Sequence, residues 1–277
     1  MSTYYKILPE GLNCKGFQYQ EGLNIDTKEI TPYKCDNGLH FSDAEHILHF
    51  CNYGSVIAEV EIPEDAIVYH FDDKSNADKI ILKNLRPLWS IETMEALISE
   101  GVEFESFKSR MLDKAAQKGY LDIVKYLIEH GANININEQT ICCALERGHF
   151  DVVEYLIEHG ANIHAGYDYA LRHASEYGHL EIVKYLVEHG ADIHTYDDYA
   201  LRAASTYGFF EIVKYLVEQG ADIHTLDDSA LRWASVHGYF DTVRYLVEQG
   251  ADIHACDDYA IWYAGTPEIR KYLKSLA

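Results

Sequence analysis

Cysteine and positive charge are both scarce in this 277-residue chain. The six cysteines, Cys14, Cys35, Cys51, Cys142, Cys143 and Cys256, include no CxxC pair. They are too few for a disulfide scaffold, so reduced thiols in a reducing compartment are expected. Lys and Arg total 23 against 45 Asp and Glu, a formal net charge of -22. Nucleic-acid binding draws on Lys and Arg that neutralise phosphates, so neither nucleic acid nor an anionic membrane is an expected partner. No run approaches the roughly 18–20 apolar residues that span a bilayer. The opening MSTYYKILPEGLNCKGF lacks the charged segment and apolar run of a signal peptide. The expected location is cytoplasmic, that of the host cell if the chain is viral, and not secreted. A Walker loop, a GxSxG elbow, an HExxH helix and a kinase signature are also missing, so no motif supports catalysis and no cofactor is expected.

What is present is globular in composition, 48% hydrophobic and 25% charged, which excludes wholesale disorder. It is also periodic. Gly131, Gly160, Gly190, Gly220 and Gly250 are spaced by 29, 30, 30 and 30 residues, and Gly119, Gly148, Gly178, Gly208 and Gly238 keep the same spacing. Gly101, in SIETMEALISEGVEF, carries the period back to about residue 90. In the unit 197–224, Asp198 reads as an N-cap of a short first helix that packs through Leu201, Ala204 and Ser205 and stops at Gly208. Phe210, Ile212, Val213, Leu216 and Val217 recur at helical spacing in a second helix ended by Gly220. Such a helix pair has one apolar face and can bury it only against its neighbours.

The unit YALRHASEYGHLEIVKYLVEHGADIH (169–194) resembles the ankyrin repeat, and the resemblance covers about residues 90–277. It departs from the family pattern in three ways. Tyr169-Ala170, Tyr199-Ala200, Ser229-Ala230 and Tyr259-Ala260 stand where the family opens its first helix with Thr-Pro. Arg172, Arg202 and Arg232 replace a histidine. The link from GAD to the helix is about three residues short, which removes the turn of the hairpin finger. The expected contact surface therefore moves from the finger tips to the helices. Residues 91–101 read as a half-repeat cap, and 257–277 as a short C-terminal repeat with Arg270, Lys271 and Lys274 on its polar outer face.

Residues 1–90 lack the period. Strand-like runs at 4–8, 55–62, 67–71 and 79–82, a helix expected at 42–51, and breaks at Pro9, Pro32 and Pro63 predict a small α+β domain. The order YYKIL, KGFQYQEGLNID, NGLHFS, VIAEVEIPEDAIVY, ADKIIL resembles a domain ahead of ankyrin arrays in mimivirus-like giant viruses of amoebae. The expected architecture is mainly α, with an α+β domain over 1–88 and an array of about five units plus caps over 89–277.

His164, His194, His224 and His254 form a ladder. Stacked units lie about 10 Å apart, so no two of these rings can reach one ion at about 2 Å. Bonding to local backbone is expected instead. Asp168–Arg172, Asp198–Arg202 and Asp228–Arg232 fall at i,i+4, the spacing of weak helical ion pairs. Tyr126, Tyr155, Tyr185, Tyr215 and Tyr245 on the second helices read as packing. In the N-terminal region Cys35, His40, His46, His49 and Cys51 can be read as a zinc cluster, but no paired spacing supports it. No metal site is expected.

The informative columns vary between units. Tyr169, His173 and Tyr177 share one face of the first helix, followed by Tyr199, Ala203 and Tyr207, then Ser229, Trp233 and His237, then Tyr259 and Tyr263. The ankyrin resemblance implies that the position of Tyr177 lies on the concave binding face. The candidate partner-binding residues are Tyr167, His173, Tyr177, Tyr196, Tyr207, Trp233, His237 and Tyr263. The expected function is non-catalytic binding of a host or viral protein, and the acidic charge favours a basic partner. No F-box-like segment marks a ubiquitin-ligase adaptor. The alternative places an enzyme-like or ligand-binding activity in the first domain, because GLHFSD (38–43) resembles the start of ADP-ribosyltransferase-like folds. A polar pocket at His40 and Ser42 would favour that alternative, and abundance in purified particles would point instead to a virion component.

Overall fold

The computed structural model describes residues 3–28, 30, 38–133 and 139–277. The chain forms two compact units, one from 1–115 with 120–133 and the other from 116–119 with 134–277.

The first unit is built on an antiparallel seven-stranded sheet in the order β4-β9-β6-β1-β5-β8-β7. The strands are β1 (Tyr4–Leu8), β4 (Gly22–Ile25), β5 (Leu39–Asp43), β6 (Val56–Glu61), β7 (Val68–His70), β8 (Ser75–Ala77) and β9 (Lys79–Pro87). β1 is central, with Tyr5 to Leu8 all buried, and it pairs with β6 from Tyr4↔Val60 to Leu8↔Val56. Leu8, Leu39, Phe41, Ala58, Ile80 and Leu82 meet in its core. A separate hairpin, β2 (Asn13–Cys14) and β3 (Phe17–Gln18), turns at Lys15 and Gly16, both at positive φ.

The helix expected over 42–51 is not formed as such. Leu39 and Phe41 alternate with half-buried His40 and pair with Ala77 and Ser75 as a strand. The Asp43 carboxylate then accepts the His46 amide at 3.0 Å, which turns the chain into a 3-10 helix at Ile47–Tyr53. The same unit holds α1 (Ile91–Ser99), α2 (Lys108–Lys118, whose last residues belong to the second unit) and α3 (Leu121–Glu129). The Ser90 hydroxyl caps α1 by accepting the Thr93 amide. Glu100, at its other end, receives a two-pronged bond from Arg86 at 2.9 and 3.0 Å and the Tyr5 hydroxyl at 3.0 Å.

The second unit is a stack of helix pairs. They are α4 (Gln139–Leu145) with α5 (Phe150–Glu158), α6 (Ala165–Tyr177) with α7 (Leu180–Glu188), and α8 (Thr195–Tyr207) with α9 (Phe210–Glu218). The last two are α10 (Thr225–His237) with α11 (Phe240–Glu248) and α12 (Ala255–Trp262) with α13 (Pro267–Lys274). First helices pack on first helices and second on second along the row. Leu201, Ala204, Ile212, Val213 and Leu216 are buried, as the apolar spacing requires.

The links between pairs hold no strand; residues 139–277 are helical or irregular throughout. In place of a hairpin finger, three successive residues take left-handed backbone: Gly166–Tyr167–Asp168, Tyr196–Asp197–Asp198, Leu226–Asp227–Asp228 and Cys256–Asp257–Asp258, with φ between 48° and 62°. A non-glycine residue in this region costs about 1–2 kcal/mol, least for Asp, whose side chain can bond locally. Aspartate fills most of these positions.

Candidate protein-binding face

The left-handed turn is held from two sides. Arg202 donates from Nε to the Asp197 carbonyl at 2.9 Å and from Nη2 to the Tyr196 carbonyl at 2.8 Å, and Arg172 and Arg232 grip their own turns in the same way. Asp198, only 3% exposed, accepts the His194 ring Nδ1 at 3.0 Å and the backbone N–H of Asp222, in the next repeat, at 3.0 Å. Asp168 and Asp228 repeat the arrangement with His164 and Asp192, and with His224 and Asp252.

Three expectations are corrected here. Asp198 is not an N-cap; it lies inside the left-handed turn and bridges two repeats. The arginines pair with turn carbonyls rather than with the aspartates four residues earlier. The ladder histidines bond those aspartates through their rings rather than local backbone. A carboxylate buried at a repeat junction needs several donors, and the next repeat's amide together with the imidazole supplies them. The second-helix tyrosines pack as expected: Tyr185 meets Phe150 at 5.6 Å, and Tyr245 meets Phe210 at 5.8 Å, each one repeat back.

With those groups absorbed by the fold, a line of aromatic side chains remains on the first helices. Tyr177 is 45% exposed, Tyr207 50%, Trp233 39% and Tyr263 61%, and His237 is also exposed. They run in stacks: Tyr169 to His173 at 3.9 Å, His173 to Tyr177 at 5.6 Å, Trp233 to His237 at 5.9 Å and Tyr259 to Tyr263 at 4.5 Å. His173 is half-buried in its stack, and burial lowers its basicity. Tyr167 and Tyr196 sit apart from this line, on the left-handed turns, where their rings meet edge to face at 5.5 Å. Arg172 lies 4.6 Å from the Tyr196 ring centroid. Sequence reasoning missed Trp262, 61% exposed and standing where the three preceding units carry Arg172, Arg202 and Arg232, and Leu226, 51% exposed on its turn. Only a turn geometry invisible to a helical period brings Leu226 outward.

In the first unit, a cavity of about 370 Å³ opens beside His40. Ser42 is not part of it; its hydroxyl is buried and donates to the Asp73 carbonyl at 2.6 Å. Of the residues read as a zinc cluster, His46 bonds Asp43 at 2.8 Å, which raises its basicity, His49 packs on Phe107 at 4.7 Å and Cys51 is buried. Cys35 lies outside the described residues, and no group of three metal-capable side chains occurs among those described. No helix among the described residues is long and apolar enough to cross a membrane.

The helix pairs, their period and their glycine stops define an ankyrin-repeat array, and the chain belongs to the ankyrin-repeat family. The ankyrin-repeat profile in three copies matches residues 137–197 and 195–257, and the single-repeat profile matches 111–139. Residues 2–97 match a family described as a domain of unknown function (DUF7666). Among similar proteins, one ankyrin repeat protein of Acanthamoeba polyphaga mimivirus is 33% identical over 142 residues, covering 47% of this chain and 42% of that protein. A second ankyrin repeat protein of the same virus is 30% identical over 139 residues, covering 47% of this chain and 68% of its own length. An uncharacterized protein of that virus is 31% identical over 137 residues, which is 46% of this chain and 99% of that protein. The matched part is thus less than half the length of the first relative.

Proposed function

We propose that the array is a non-catalytic recognition module that holds a host or viral protein on its first-helix face, concave in ankyrin arrays. Ankyrin repeats are generally protein–protein interaction modules, and the family assignment carries that much. The supporting observation for the face is the exposed line Tyr177, Tyr207, Trp233 and Tyr263. These rings contribute little to the core, and Tyr and Trp are the residues that anchor interfaces. The proposed site set is Tyr167, His173, Tyr177, Tyr196, Tyr207, Trp233, His237 and Tyr263, and the proposed setting is host cytoplasm. With a net charge of -22, a partner with a basic patch would be steered onto the array, with affinity that falls as salt rises.

The test is affinity capture from amoebal host lysate with the intact chain and with the Tyr207→Ala, Trp233→Ala, Tyr263→Ala triple variant. Loss of a specific partner in the still-folded variant supports this reading. Retention of the partner, or its capture by a chain whose array face is altered throughout, moves recognition to residues 1–88.

We propose as a second reading that residues 1–88, the extent expected for the first domain, bind a small molecule. The cavity beside His40 is the observation that favours it.

A further inference from the structure

The cavity in the first unit has a charge opposite to that of the chain around it. Lys6, Lys15, Lys28 and Lys74 all line it, in a protein that carries twenty-two more acidic than basic residues. Asp26 is the one carboxylate among its described lining residues, and its oxygens are already taken by the backbone N–H groups of Lys28 at 3.0 Å and Gly38 at 3.1 Å. None of the four lysines forms an ion pair among the described residues. Lys6 is 7% exposed, an expensive place for an ammonium. Its amine donates to the His40 carbonyl and sits 4.5 Å from the Tyr19 ring centroid, two contacts that orient it without neutralising it. Burial holds its pKa at about 8, so most of it is charged at pH 7. Phe17, Tyr19, Phe41, Phe50 and Tyr53 add aromatic rings to the wall, beside polar His40 and Thr27.

We infer that this cavity binds a small organic phosphate with a ring or similarly flat apolar body, its phosphate held by the lysines and its ring by the aromatic wall. The inference deepens the ligand-binding reading of residues 1–88 and rests on it. A phosphate dianion matches several lysines better than a monoanion does, and lysine serves as a compact phosphate partner. A cavity of about 370 Å³ lies in the range of small-molecule sites.

The experiment uses the full chain and three probes: naphthyl phosphate, neutral naphthol and inorganic phosphate. Binding is read by naphthyl fluorescence or calorimetry, and by protection of Cys14, a half-buried thiol in the cavity wall, from iodoacetamide. The expected result is saturable one-to-one binding of naphthyl phosphate with Cys14 protected. Affinity should fall at least about tenfold in Lys15→Ala/Lys28→Ala/Lys74→Ala, whose changes spare the core, and by a similar factor in Lys6→Met. Naphthol and inorganic phosphate should each bind more weakly by about the same factor. Naphthol binding as well as the phosphate ester would overturn the anion assignment and leave a neutral-ligand site. No binding of any probe would overturn both the inference and the ligand-binding reading. Binding undiminished in both variants would place the anion elsewhere.

Discussion

Arg202 holds the Tyr196 carbonyl at 2.8 Å, six residues back along its own chain, and so pins a turn of left-handed backbone. The link of Arg202 to Asp197 at 2.9 Å completes a fork that a planar guanidinium can make and an ammonium cannot. Arg202→Met is expected to cost about 1–3 kcal/mol, the worth of hydrogen bonds to a charged donor, and Arg202→Lys to recover less than half of that. Urea unfolding of the full chain checks it. A loss below about 0.5 kcal/mol would show that the turn sustains itself.

Asp198 and Asp258 occupy equivalent positions, yet of the two only Asp198 accepts an amide from the next repeat in this structure. Asp198 receives both the His194 ring and the Asp222 amide, and its side chain is 4% exposed. Asp258 bonds His254 alone at 2.6 Å and is 41% exposed. Asp198→Ala should therefore destabilise by about 2 kcal/mol or more, because a buried amide loses its acceptor. Asp258→Ala should cost less than about 1 kcal/mol. Equal losses would refute the bridging role, with thermal melts of both variants as the measurement.

Gly178 and Gly220 both have positive φ, 82° and 98°, but differ in what surrounds them. A Cβ on Gly178 would fall 2.4 Å from the Phe209 ring, whereas one on Gly220 meets nothing within 4 Å. Gly220→Ala should cost about 1–2 kcal/mol from backbone strain alone. Gly178→Ala should exceed it by at least about 1 kcal/mol, since the ring of the next repeat must move. Comparable losses would mean that Phe209 shifts freely, and paired denaturation curves decide it.

Lys6 gives the first unit a pH signature. Its pKa is about 8 in the fold against an ordinary 10.5, because burial disfavours the ammonium. Below about pH 8 both folded and unfolded chains hold the proton, and the burial cost is present in full. Between about 8 and 10.5 the folded chain releases it first, so the unfolded state binds more protons and stability rises with pH. Relative to Lys6→Met, the native chain should gain up to about 3 kcal/mol between pH 7 and pH 10.5. Burial also pushes the Tyr5 and Tyr19 hydroxyls upward, and taking the difference between native and variant chains cancels that background. A flat difference across the window would show that the Lys6 amine keeps its proton.

The glycine ladders, the second-helix apolar spacing and the strand-like run at 4–8 were legible because each follows a short-range period or a local backbone requirement. Gly208 stops α8 at φ 79°, as a left-handed C-terminal position demands. Val213 and Leu216 are fully buried at helical spacing. The aromatic columns could likewise be read as one face of the first helix, since i and i+4 share a face whatever surrounds them. The Asp-Asp and Arg columns were visible too, yet a helical period assigned them to a cap and an ion pair.

No first helix from α6 to α12 runs straight from a cap; the chain enters each of them through three left-handed residues. The sequence by itself determined the period, the helix pairs, the family and the shortened link, because all of these are set by residues within one repeat. Only the tertiary structure decided that the shortened link becomes a left-handed turn, that Asp198 is spent on the amide of the next repeat, and that Lys6 lies in a cavity of lysines. The last two depend on groups distant in sequence, twenty-four residues for Asp198 and Asp222 and thirty-four for Lys6 and His40, whereas the turn is gripped by an arginine five and six residues away, at a spacing that a helical period does not foresee. A buried charge is satisfied by whatever partner the fold places beside it, a donor for Asp198 and an acceptor for Lys6, and no local pattern names that partner.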